Sequence, residues 1–98
     1  MTTKTSEWDA SEYLESPEQI AAYLNAVMEY GDPTLVQAAL GDIAKAQGMT
    51  QIARSSGLSR ESLYKALRAE ASPSFATISR VATAVGTHIR FDADTPLD

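Results

Sequence analysis

Apolar residues recur at helical spacing along most of this chain, and each such stretch is bounded by residues that start or stop helices. Ser16-Pro17-Glu18-Gln19 reads as a helix start. Ser16 caps, Pro17 takes the first helical position, and Gln19 can reach back to the cap amide. Ile20, Leu24, Val27 and Met28 then share one face, and Gly31 closes the helix in the left-handed conformation. Asp32-Pro33 opens a second helix with Val36, Leu40 and Ile43 as its stripe and Gly48 as its end. Gly41 lies inside it at a cost of about 1 kcal/mol relative to Ala, which a close backbone approach would account for. Thr50 is expected to cap a short third helix ending at Gly57, and Ser59 a fourth running to about Ala69. Glu70–Pro73 reads as a loop. Ser74 caps a last helix carrying Phe75, Ile78, Ala82 and Val85, closed by Gly86.

Beyond Gly86 the period changes. Thr87, Ile89 and Phe91 alternate with His88 and Arg90, which is strand periodicity. A lone strand needs a partner, so this edge is expected to join a second copy or an extended arm at Trp8–Ala10. The chain is thus expected to be all-α, with five helices and a short C-terminal strand. Residues 1–15 form an acidic arm, 16–91 the helical domain and 92–98 a tail. Met1–Ser6 is expected to be disordered.

Length and composition narrow the chemistry. Ninety-eight residues make one domain with one modest core. The chain has no Cys and a single His, His88, so a zinc site built from His and Cys is excluded. No metal or other cofactor is expected. No apolar run is long enough to span a membrane, and Met1 to Ser16 lacks a signal-peptide pattern, which makes the cytoplasm the expected location. No nucleophile stands at triad spacing with His88, and there is no glycine-rich phosphate loop, so an enzyme is not expected.

The net charge of −5 argues against nucleic acid until its distribution is considered. Residues 1–42 carry one Lys against eight acidic residues, a balance of −7. Residues 43–91 carry seven basic residues against Glu61 and Glu70, a balance of +5. An acidic segment joined to a basic one suggests one end for DNA and the other for a different partner.

The span Thr50–Ala69 has the spacing of a helix-turn-helix. Two helices that cross steeply need a small residue at the contact, and Ala53 supplies it. The turn needs a positive φ, which Gly57 supplies. Ile52, Leu58, Leu63 and Ala66 provide apolar contacts, whereas Ser56 stands where an apolar residue is usual. The bland alternative is a helical hairpin with a glycine turn. Arg60, Tyr64, Lys65 and Arg68, with Ser59 and Glu61 at the start, project from the second helix as a recognition face. Arg and Lys can read guanine, and Glu61 can accept from cytosine N4. Thr50 and Gln51, and Ser72 and Ser74, are placed to touch phosphate.

At these residues the sequence resembles the prophage-type antidotes of toxin–antitoxin modules, the HigA-like helix-turn-helix antitoxins. The resemblance starts with Ala10–Leu14, Ser16-Pro17-Glu18 and Ile20-Ala21-Ala22-Tyr23-Leu24. It continues through Ala39-Leu40-Gly41-Asp42-Ile43-Ala44 and Gly48-Met49. Its most specific part is Leu58–Leu67, and it ends with Pro73-Ser74-Phe75-Ala76-Thr77-Ile78. It implies a five-helix, phage-repressor-like fold. It also implies an antitoxin that neutralises a RelE/ParE-like toxin and represses its own operon as a homodimer on double-stranded DNA.

Other readings remain open at this stage. The chain can be a stand-alone phage-repressor-like regulator, or an interaction inhibitor that binds no DNA. Trp8, with Tyr13 and Leu14, can anchor the toxin or fold onto its own domain. The acidic residues from Glu7 to Glu18 can mimic nucleic acid toward a basic toxin or simply solvate the arm. Tyr23 and Tyr30 suit packing or dimer contacts, and Tyr64 suits DNA or shielding of the core. A chain starting at Asp32 is expected to keep operator binding and to lose toxin.

Overall fold

The computed structural model describes residues 16–68 and 70–94, which form five helices and, among the described residues, no strand. They are α1 (Pro17–Met28), α2 (Pro33–Gln47), α3 (Met49–Ser56), α4 (Arg60–Ala66) and α5 (Phe75–Ala84). The arm with Trp8, Tyr13 and Leu14 lies outside the described residues.

Four of the five helices start on the expected side-chain caps. Ser16 Oγ accepts from the Gln19 amide at 3.1 Å, and Asp32 Oδ1 from Thr34 at 3.0 Å. Ser59 Oγ accepts from Ser62 at 3.0 Å, and Ser74 Oγ from Thr77 at 3.1 Å. These bonds satisfy amides that a helix leaves unpaired at its first turn. The exception is α3. Thr50 is not its cap, because Gly48 both ends α2 and begins α3, at φ 110° and ψ 111°. Only one residue separates the two helices, which leaves no place for a capping side chain.

Leu40, Ile43, Ile52, Leu63 and Val81 are the largest fully buried side chains. They bring α2, α3, α4 and α5 to one center, and Ile20 adds α1. Two side chains expected on the buried stripes turn outward instead. Met28 falls at the last residue of α1 and Phe75 at the first of α5, and both are exposed. Val81, which the apolar spacing of α5 did not single out, is buried in Phe75's stead.

Gly41 does sit at a crossing. A methyl there would meet Leu67 Cβ at 3.6 Å and the Leu67 carbonyl oxygen at 3.7 Å, which is ordinary contact. The approach is close but leaves room for a methyl.

The C-terminal strand expected at Thr87–Phe91 does not form. Thr87 instead closes α5: its amide and its hydroxyl both donate to the Ala82 carbonyl, at 3.0 and 2.8 Å. The Gly86 amide donates to Thr83, completing a left-handed helix terminus at φ 108°. Ile89 and Phe91 are exposed, and no backbone bond ties residues 88–94 to a neighbor among the described residues. Alternation without an adjacent edge gives an extended tail rather than a strand.

Candidate nucleic-acid interface

α3 and α4 meet through a tight turn. Gly57 adopts the left-handed conformation at φ 80° and ψ 12°, and the amides of Gly57 and Leu58 both donate to the Ala53 carbonyl. Ala53 is buried at the contact, as its size requires, and Ile52 and Leu63 are fully buried around it. Leu58 and Ala66 are half-buried. Ser56 is buried without being orphaned. Its hydroxyl donates to the Ala53 carbonyl at 3.1 Å and accepts from the Leu58 amide at 3.3 Å. A polar side chain at this position therefore reinforces the turn that an apolar one would only pack against.

With Leu63 and Leu67 turned inward, the opposite face of α4 is left to solvent. Arg60, Glu61, Tyr64 and Lys65 are all exposed there. Arg60 lies over the Tyr64 ring at 5.5 Å from its center, and its Nη2 donates to the Tyr64 hydroxyl at 3.2 Å. This pair holds the guanidinium along the helix. Arg68 comes just after the helix rather than on it, because α4 stops at Ala66, short of the expected Ala69. Its guanidinium faces the Glu70 carboxylate at 3.7 Å, with both side chains mostly exposed.

The segment that follows α4 has a tertiary anchor. Gln37 is a buried polar side chain on α2, and its amide donates to the carbonyls of Arg68 and, at 3.2 Å, Ala71. These bonds pin the segment after α4 to α2. A second glutamine does similar work at the other end of α2, where Gln47 donates to the Val85 carbonyl at 3.1 Å.

Ser59 from the recognition face and the four residues expected at phosphates differ in what their side chains already do. Thr50 and Gln51 are exposed in the first turn of α3, an end that no side chain caps. Ser59 and Ser74 spend their hydroxyls on helix caps, and each also bonds a hydroxyl in its own first turn, Ser62 and Thr77 respectively. Ser72 is exposed in the loop before α5. Two further arginines belong with this surface. Arg54 is exposed in the last turn of α3, and Arg80 reaches from α5 to the turn, 4.0 Å from where a Gly57 methyl would stand. Arg54 could have been found from its place in the helix. Arg80 could not, since only tertiary packing brings α5 beside Gly57. A groove of about 300 Å³ runs between α2 and the α4 face, lined by Asp42, Lys45, Tyr64 and Arg68 among others.

Among the described residues these features define a bundle of five helices with a basic, exposed face on α4. Residues 4–93 match the family described as "Probable addiction module antidote protein". The chain is also 46% identical over 85 residues to an uncharacterized protein of Haemophilus influenzae, covering 87% of this chain and 88% of that one. No solved structure matches. The chain belongs to the probable addiction module antidote family, and an antidote of such a module has a toxin as its partner. No helix among the described residues is long and apolar enough to cross a membrane.

Proposed function

We propose that this protein is a HigA-like antitoxin of a type II module. It neutralizes a RelE/ParE-like toxin in the cytoplasm and, as a homodimer, represses its own operon through a helix-turn-helix formed by α3 and α4. It is a binding protein rather than an enzyme. The observation that carries the reading is the α4 face, where Arg60, Glu61, Tyr64 and Lys65 stand exposed opposite buried Leu63. In this reading α4 enters the major groove, Arg60 and Lys65 address guanine, and Glu61 addresses cytosine. Tyr64 orients Arg60 through their stacked contact. Arg68, Thr50, Gln51, Ser59 and Ser74 border the face and meet the sugar-phosphate backbone, where they position without specifying. Trp8, Tyr13 and Leu14 contribute to holding the toxin.

Family membership over nearly the whole chain favors this reading over a stand-alone regulator. The net charge of −5 is what favors an inhibitor that binds no DNA. A gel shift with the DNA upstream of the protein's own gene decides between them. Arg60→Ala and Lys65→Ala should each weaken binding by about 1–3 kcal/mol if they contact bases, with the fold intact by circular dichroism. Unchanged affinity in both variants removes the recognition-helix assignment.

A further inference from the structure

The first helix buries little of what it carries. Ile20 is the one buried side chain of α1, although the helix also carries three Ala and one each of Leu, Val and Met, and it packs chiefly on α2. The surplus apolar surface gathers where α1 ends and α2 begins. Met28 is 59% exposed, Tyr30 77% and Leu35 42%, with Val27 half-buried beside them. The turn that presents them is well tied. The Tyr30 amide donates to Val27 at 3.1 Å, the Gly31 amide to Met28 at 3.0 Å, and Asp32 caps α2. Side chains held on such a turn lose little freedom when a partner covers them.

The charge around this tip is of one sign. From Ser16 to Ala44 the chain carries Glu18, Glu29, Asp32 and Asp42, and no Lys or Arg. Glu29 and Asp32 are exposed, one just before Tyr30 and the other two residues after it. An apolar center with an acidic rim repels nucleic acid. A second copy meeting it with the same patch would set acid against acid, and one meeting it head-to-tail with its basic α4 would cover the face proposed for DNA and build a ring or an open chain. What fits is a different protein with a basic rim around an apolar center, an arrangement that matches the anatomy of specific interfaces.

We infer that the α1–α2 tip, centered on Met28, Tyr30 and Leu35, is the docking face for a basic protein, namely the toxin; this rests on the antidote reading of the chain. The tip then supplies apolar anchors from the helical domain itself, in addition to any contribution of the arm. Tyr30, the most exposed of the three and an aromatic, is the expected center of binding energy.

The test uses the full chain and, as probe, the tagged product of the gene adjacent to this one. Met28→Ser with Tyr30→Ser should raise the dissociation constant about tenfold or more while leaving the melting curve unchanged. Glu29→Lys should slow association at low salt, an effect that fades at high salt. Lys suits the C-terminal end of α1, so this variant tests the surface even if the double substitution disturbs folding. If neither variant changes binding, the docking face lies elsewhere and the assignment is overturned. If the double variant converts a dimer to a monomer in sedimentation, the tip is an interface between copies and the assignment is likewise overturned. If the unsubstituted chain fails to bind the adjacent product, the antidote reading of that pair falls, and this inference falls with it.

Discussion

At the scale of single residues, polar groups inside this protein are satisfied locally or carry a visible consequence. Ser56 is satisfied by the turn it helps to make. Tyr23 carries a consequence. Its phenol is raised above the ordinary value of 10.0, first by burial and then by the negative charge of Asp42. Both disfavor the phenolate in the folded chain. The stability associated with the neutral phenol is therefore fully present below about pH 10 and is lost as pH rises through the folded value. Melting temperatures of the native chain should fall more steeply above pH 10 than those of Tyr23→Phe. Below that pH the two curves should run parallel, whatever their offset. Parallel curves across the whole alkaline range would mean that Tyr23 ionizes equally in both states.

At the scale of elements, two glycines illustrate opposite reasons for the same residue. Gly57 holds φ 80° in the turn between α3 and α4, where a side chain is strained. Gly41 sits in the regular interior of α2 with ordinary room for a methyl against Leu67. Substitution by Ala should therefore have opposite signs. Gly57→Ala should destabilize by about 1–2 kcal/mol, the left-handed penalty of an L-residue. Gly41→Ala should stabilize by about 0.4–1 kcal/mol through the lost freedom of the unfolded chain. Urea denaturation of both variants checks the pair, and a destabilized Gly41→Ala would show that the approach of Leu67 to α2 tolerates no addition. The length of α4 also belongs to this scale. Its helical pattern extends beyond Ala66, yet the helix stops there; Arg68 lies beyond its last turn, and its carbonyl accepts from Gln37.

At the scale of the whole molecule, the shared core predicts that a cut at Asp32 does not separate the acidic and basic halves cleanly. Ile20 lies in the common core with Leu40, Ile43, Ile52 and Val85, and Pro17 packs where a Gly86 side chain would come within 3.8 Å. Removing α1 opens that core, at the several kcal/mol typical of losing a buried Ile together with its neighbors' contacts. A chain of residues 16–98 should keep a cooperative melt by circular dichroism, and one of residues 32–98 should not. The longer chain has lost a balance of −3 from residues 1–15. It should bind DNA more tightly than the full chain at low salt, with the difference fading as salt screens the repulsion. A cooperative melt for residues 32–98 would show that α1 is an appendage.

The five helices, four of the five capping side chains and the left-handed glycines at Gly31 and Gly57 were readable in the sequence, because each depends on bonds within a few residues of chain. The exposed polar face of α4 was readable for the same reason, since the inward turn of Leu63 dictates the outward turn of Arg60, Tyr64 and Lys65. What the tertiary structure alone decided involves partners far along the chain. Gln37 ties down the segment after α4 through bonds spanning 31 and 34 residues. Arg80 reaches Gly57 only because α5 packs on α3. Thr87–Phe91 has the alternation of a strand, but alternation describes which side chains share a face, and a strand also requires a neighboring edge to bond. The bare tip of α1 and α2 was hidden in the same way. Apolar spacing marks the residues able to be buried, whereas their burial depends on whether another element lies against them, and none does at Met28, Tyr30 and Leu35 among the described residues.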